Sequence, residues 1–484
     1  MNNDQQQNIS TPSQTILKHN KFWLTVEGAA SSVYLILTQG ALFTAIAIYF
    51  KLTTFWLSVT TAFPLVFQVF QLIAPTIIKR SKNRVRLMII FNAGRFIWFI
   101  PLATSLFGFS SALEFIVIFA VSQLANALAG NVWVGLSRDL IPEHERGKFL
   151  GRRNVAISIT TMISTYIYTA ILDILSKPLS IIITILIGMI ATIISIIATF
   201  PIRDISLQEI SQQSTGNLAP GTTFEEKSAG NLAPGTNKQK TDSIKSNLVY
   251  LFSYNKQLLQ DSNIKRFVIA MFAWNFILQL TAPFFAYHQI TNLSMSMRLI
   301  GITSILTSLL SIIFYRIWGV LGDKLGHKSV LVTGINIVSL IPMLWFFMGK
   351  PLWPYMMGVD VLLTGLGWSA IDLGILTFGM EIGGKNSSAC FALANAGAGI
   401  SGLAGAVVGG FLGQKLKPIN LTLWSFEING LQFLFLVGGL LRFLGLALFK
   451  KVQAANYAKP GVMVTNVLSI IARRFAIRPA ELDE

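Results

Sequence analysis

Twelve apolar runs, each close to the length that crosses a bilayer core as a helix, dominate this chain of 484 residues. A spanning helix needs about 20 mostly apolar residues, and no water-soluble fold buries twelve such runs in a chain of this size. The first set of six is Gly28–Phe50, Phe55–Ile78, Leu87–Phe107, Ala112–Leu136, Val155–Leu175 and Leu179–Phe200. After a polar interval come Phe267–Ile290, Leu299–Leu321, Val330–Met348, Trp353–Met380, Ala389–Leu412 and Leu431–Phe449. The expected fold is therefore an all-α polytopic membrane protein with about twelve transmembrane helices in two six-helix bundles. Composition agrees, with 53% hydrophobic and only 12% charged residues, against about 25% charged in soluble domains.

The net charge of +17 would suit nucleic acid on a soluble domain. On a membrane protein it reflects Lys and Arg gathered on one face. Lys79, Arg80, Lys82, Arg84 and Arg86 fill one loop, Arg138, Arg146, Lys148, Arg152 and Arg153 another, and Lys324, Lys328 and Lys385 lie on the same side. The opposite loops carry only Lys51, Lys177, Arg298, Lys350, Lys415 and Lys417. The positive-inside rule then puts both termini and the central loop in the cytoplasm of a cell with this protein in its plasma (inner) membrane. No nucleic-acid partner is expected. Cys390, the single cysteine, has no intrachain disulfide partner, and the polar first ~20 residues lack the basic region and short apolar core of a signal peptide.

The most informative turn is Gly319-Val-Leu-Gly322-Asp323-Lys324-Leu-Gly326-His-Lys328, between two long apolar runs. Its glycines allow a tight turn and its charges hold it at the surface. This pattern resembles the signature loop of the major facilitator superfamily, which follows the second helix of each six-helix half. The stretch from Ser137 to Asn154, with Asp139, Glu143, Arg146, Arg152 and Arg153, resembles the charged loop after the fourth helix in many bacterial members. An eroded second-half copy contains Glu381. The resemblance implies two pseudo-symmetric halves and alternating access between them. It also implies that Asp323 meets the start of the fifth helix at Arg152, Arg153 or Asn154 when the cytoplasmic side is closed, with Lys324 or Lys328 reaching Glu381. A solvated turn is the plainer reading of Asp323. The first-half loop, Ala74 to Arg84, has no Asp and no glycine pair, and the fifth helix lacks the Gly-Pro kink of drug/proton antiporters.

Domain organisation follows: a disordered cytoplasmic tail over 1–21, a six-helix half over 22–200, a linker over 201–266, a second half over 267–450 and a cytoplasmic tail over 451–484. The linker contains Gly-Asn-Leu-Ala-Pro-Gly-Thr twice, at Gly216 and Gly230, and reads as duplicated low complexity, followed by a basic helix for the inner leaflet. Met463, Val467, Ile471 and Phe475 alternate with polar and basic residues, an amphipathic helix suited to anionic headgroups.

Charged groups inside spans are candidates for chemistry because each costs several kcal/mol unless paired or hydrated. Arg95 lies roughly 12 Å from the basic end of its helix, and Arg442 is similarly deep. Both are expected to snorkel to headgroups, with substrate contact as the alternative. Arg316, a turn or two from the signature loop, is expected to brace it. By the resemblance, the first, fourth, seventh and tenth helices line a central cavity. That points to Glu27, Gln39, Gln123, Asn126, Trp274 and Asn275, and to Gln279, His288, Asp360 and Asp372, as substrate or proton candidates. Asp360 and Asp372 sit on helix faces roughly 120° apart, so they do not serve one small solute together. Asp360 is the preferred proton-coupling group, with a hydrated carboxylate in the outer vestibule as the alternative. The glycines between Gly397 and Gly413 mark a close helix contact.

No cluster has metal-ligand spacing, no nucleophile sits with a base, and no nucleotide loop is present, so neither an enzyme nor a cofactor is expected. The reading is a monomeric secondary active transporter of a small solute, with proton coupling as an option. A non-transporting sensor or lipid-handling protein on the same scaffold is the alternative. If Asp323→Asn left transport rate and conformational bias unchanged, the latch would be removed.

Overall fold

The computed structural model describes residues 11–72, 83–108, 111–141, 143–204, 257–350, 352–423 and 426–475. The duplicated linker motif and most of the first-half loop, Ala74 to Lys82, lie outside the described residues. Among the described residues ten helices are long and apolar enough to cross a membrane; a bent pair and a shorter apolar helix, Thr54–Phe70, complete the two sets of six.

In the first half, α1 (Thr11–Leu35) and α2 (Gly40–Tyr49) are joined by a single 3-10 turn, Ile36–Thr38. They bend by 52° where one straight span was expected. The break falls at Gln39, whose extended backbone leads into Gly40 at φ +62, a conformation that glycine adopts without strain. Next come α3 (Thr54–Thr61), α4 (Phe63–Val66) and a 3-10 turn to Leu72; then α5 (Arg84–Ala93), a 3-10 turn and α6 (Phe99–Leu106) form one span. The half closes with α7 (Ala112–Leu140), α8 (Glu143–Ile174) and α9 (Leu179–Thr199).

The second half comprises α10 (Ser262–Tyr287), which runs into a π-helical turn at His288–Asn292, α11 (Met297–Leu325), α12 (His327–Phe346) and α13 (Trp353–Gly383). Helix α14 (Ser387–Leu416) follows. A hairpin pairs β1 (Asn420–Leu423) antiparallel to β2 (Phe426–Asn429), and leads into α15 (Gly430–Lys450) and α16 (Pro460–Phe475).

The starts of α1 and α5 and the end of α9 share one end of the bundle, here called the basic end. Arg84 donates to Asp204 at 2.6 Å, and His19 and Asn20 bond Pro201 and Arg203. Helix α1 begins at Thr11, within the stretch expected to be a tail, and His19 and Asn20 in its third turn tie it to the chain leaving α9. In the second half the same end is strapped by the chain after α15. Lys328, expected to reach Glu381, instead donates to the carbonyls of Lys450 and Val452 at 2.8 and 2.7 Å, capping α15 where a cation meets the helix dipole. Glu381 accepts from the amide of Ala455, and Ser329 accepts from that of Ala458. Gly326 has φ +94, and a Cβ there would strike the carbonyl of Asn456. Helix α16 does not lie with its apolar face on lipid alone: Met463 and Val467 are buried against Leu321 and Val330 of α11 and α12.

Helix α14 holds the halves together through its glycines. A Cβ on Gly405 or Gly409 would meet the backbone of Phe276 or Leu280 on α10, while Gly399 and Gly410 face Leu65 and Phe55 of the first half. Small residues let two neighbours approach one helix at once, as apolar association in lipid requires. Gly409→Leu should lower the melting temperature by overpacking, at about 1–3 kcal/mol. Gly358→Ala, where nothing lies within 4 Å of the added carbon, should be neutral or stabilising by about 0.5–1 kcal/mol. Thermal unfolding in detergent checks the pair.

Candidate functional site

A central cavity of about 540 Å³ is lined by α10, α11, α12, α13 and α15, with Gly40, Ala41 and Leu65 from the first half. Asp360 is its acid. One carboxylate oxygen accepts from the indole of Trp345 at 2.7 Å and, at 3.5 Å, from Thr364, one helical turn along α13. Trp345 is held edge-on to Phe285, with ring centres 5.0 Å apart, so the acid's position is fixed by an aromatic cluster. Asn275 and Gln279 line the same space. Pro283 lies inside α10; a proline has no N–H, so the Gln279 carbonyl loses its helical donor at the cavity wall.

A second cavity of about 690 Å³ shares Gly40, Ala41, Ile300, Ser304 and Trp368 with the first and extends to Gln39, Thr161 and Thr165. Of the expected residues, Gln39, Asn275, Gln279 and Asp360 therefore face the central space between the halves. The others do not line it. Trp274 is core, packed on Phe449 and Gly445. His288 is fully buried, with Nε2 on the carbonyl of Met348 at 3.1 Å and Nδ1 on Asn292 at 2.9 Å. The carbonyl only accepts, so the ring proton belongs on Nε2 and both nitrogens are used. Asp372 lies on the exposed side of α13 and accepts from Tyr315 at 2.9 Å.

Glu27, Gln123 and Asn126 belong to a polar network inside the first half. Glu27 accepts from Ser31 at 2.8 Å and Ser195 at 3.4 Å, and pairs with Arg153 at 3.8 Å. Arg95 donates to Asn126 and Ser31 at 2.8 and 3.0 Å and lies over the Tyr34 ring. The amide nitrogen of Gln123 is buried without a partner. Snorkelling of Arg95 and Arg442 to the headgroups is thus corrected: they are 4% and 2% exposed, and their guanidinium groups turn inward to polar partners. Arg153 also turns inward, 4.1 Å over the Trp133 ring and bonded to the carbonyl of Leu24.

The expected contact of Asp323 with Arg152, Arg153 or Asn154 is not made in this structure. Asp323 and Lys324 are exposed, and the groove around Asp323 is lined by Gly322, Gly326, His327, Thr377 and Glu381 of its own half. Arg152 is exposed. Arg316 is exposed on α11, and Gly319 has open space around it. The side chains of Asp139, Glu143 and Arg146 lie outside the described residues.

Among the described residues, the bonds that join the halves sit at the opposite, distal end. Asp173 accepts from the amide of Met297 at 3.3 Å and pairs with Arg298 at 3.9 Å, and Ser58 donates to the carbonyl of Ala406 at 2.7 Å. Beside them Gly301 packs directly on Thr169. Asp173 was missed in the sequence, although an acid two residues from the end of an apolar run is a signal for a partner across the interface.

Two helical halves around a central, partly polar cavity define a polytopic membrane protein with the architecture of a secondary transporter. The Major Facilitator Superfamily pattern matches residues 29–406, and the chain belongs to that superfamily. None of the curated proteins matches this sequence. Among solved structures, a form of the nucleoside transporter NupG is similar at 11% identity and TM-score 0.63, covering 90% of this chain and 100% of its own. A D-xylose-proton symporter gives 14% identity and TM-score 0.62, covering 91% and 98%. A bacterial metal transporter gives 13% and 0.55, covering 90% and 98%. At these identities the likeness is one of fold.

Breaking the Glu27–Arg153 pair, whose side chains are 5% and 13% exposed, leaves a charge without its partner. Glu27→Gln should destabilise the protein by about 3 kcal/mol, and the double variant with Arg153→Gln should recover part of it. Chemical unfolding of the four proteins in detergent measures this coupling.

Proposed function

We propose that this protein is a proton-coupled secondary transporter that carries a small solute through the central cavity by alternating access. The observation that supports it most is Asp360, a carboxyl group set in the cavity wall two turns into α13 and engaged only by the neutral donors Trp345 and Thr364 among the described residues. An acid in such a place can take up a proton from one side and release it to the other as access alternates. Among its structural relatives, one is a D-xylose-proton symporter.

The bonds at the distal end fit a state closed there, with the basic end as the side of access. By the positive-inside rule the basic end is cytoplasmic, and the protein works as a monomer in the plasma membrane. In the opposite state, closure of the basic end would bring Asp323 toward Arg152, where Arg pairing and the start of α8 favour a carboxylate. The polar centre of the cavity favours transport over lipid handling on the same scaffold.

Reconstituted vesicles test this reading. A panel of sugars, nucleosides, organic anions and amphipathic cations is added outside while internal pH is followed. One class should drive proton movement, and Asp360→Asn should reduce that movement to the level of protein-free vesicles. Solute flux without any proton movement would overturn the coupling, and absence of flux for every class would overturn transport.

A further inference from the structure

The central cavity contains a second charged group that the proton-coupling reading leaves unused. Arg442 of α15 lines the cavity although it is only 2% exposed. Its place is set by a proline within α12. Pro342 lies inside that helix and removes the N–H that would bond the carbonyl of residue 338. Arg442 takes that carbonyl, donating from Nη1 to Val338 at 2.9 Å, and reaches Thr281 from Nη2 at 3.5 Å with Phe285 against its face. Its Nε–H is buried with no partner.

Two uncharged oxygens thus hold the guanidinium, and no carboxylate forms an ion pair with it among the described residues. Asp360, the acid of the same cavity, is engaged by Trp345 and Thr364 instead. A buried guanidinium with an unused donor, facing a space large enough for a solute, is a site for an anionic group, which it would bind by charge-assisted hydrogen bonds. The remaining wall includes Phe285, Trp345 and Trp368, surfaces for an apolar or aromatic body.

We infer that the solute carries a carboxylate or similar anionic group, which docks on Arg442 while its apolar part lies against these rings. This rests on the cavity being the transport site. It also gives the proton a purpose: with Asp360 neutral, one negative charge fewer opposes the entering anion, so proton and anion bind together.

Matched probes on the purified full-length protein test it: phenylacetate against phenylacetamide and phenethylamine, then acetate and indoleacetate against their amides. Binding is measured by calorimetry and by the shift in melting temperature. Each aromatic acid should bind roughly tenfold to a hundredfold tighter than its amide, the worth of hydrogen bonds to a charged group. Arg442→Gln should bring acid and amide within about twofold, and Arg442→Lys should keep part of the preference. Because Arg442→Gln also frees the Val338 carbonyl, Asp360→Asn gives a second test with an intact guanidinium: acid binding should tighten while amide binding stays put. Equal or better binding of amide or amine, no binding of any acid, or weaker acid binding in Asp360→Asn would each overturn the inference. Flux of a neutral solute would leave transport standing without this site, and acid binding without flux would do the reverse.

Discussion

Inside a bilayer no water is available to satisfy a backbone group that a helix leaves unbonded, and this constraint organises the structure. Spans remain helical except where another part of the chain takes over the freed groups. Pro342 interrupts α12 and Arg442 collects the carbonyl it strands. The end of α15 is capped by the ammonium of Lys328. Gly40 lines the central cavities, Gln39 lines one of them, and Pro283 and Pro342 each lie one residue from the wall.

The same constraint explains why charges in the spans come with named partners. In the first half Glu27, Ser31, Ser195, Arg95 and Arg153 satisfy one another among four helices. Such a network specifies one packing of that half. In the second half Arg442 and Asp360 are held by a backbone carbonyl and by neutral side chains, and they form no ion pair among the described residues. Among the described residues there is little polar bonding between the halves. Glycines of α14 against both halves, and Gly301 against Thr169, make a smooth contact, with Asp173 and Arg298 fastening only the distal end. A weakly bonded, closely packed seam suits rigid halves that rock against each other.

Much of the architecture was legible because span length and loop charge follow from the bilayer itself. Among the described residues ten helices of spanning length, a bent pair and a shorter apolar helix fall on the twelve runs, and the family pattern matches residues 29–406. What was not legible was the direction of side chains. A run of apolar residues says that a helix spans, but says little about which face meets lipid. Arg95 and Arg442 therefore read as snorkelling groups and proved to be interior ones. Trp274 and His288, read as cavity residues, proved to be core, because their helix turns those positions toward α15 and the loop after α12. Lys328 looked like a partner for Glu381 because both lie at the same end, and the strap after α15 intervened. Asn275, Gln279 and Asp360 line the central cavity, where a polar group inside a span is most cheaply kept.

The central claim is that two helical halves, fastened distally here, exchange that fastening for one at the basic end. Paired spin labels measure it directly by pulsed electron resonance. One pair, Gly151→Cys with Lys324→Cys, reports the basic end and keeps Arg152 in place; the other, Lys51→Cys with Lys417→Cys, reports the distal end. Cys390 is buried and is replaced by Ser. On adding a transported solute in lipid, the account predicts a shorter population at the basic end that grows together with a longer one at the distal end. Distances that stay fixed at both ends, or that shorten at both together, would contradict it.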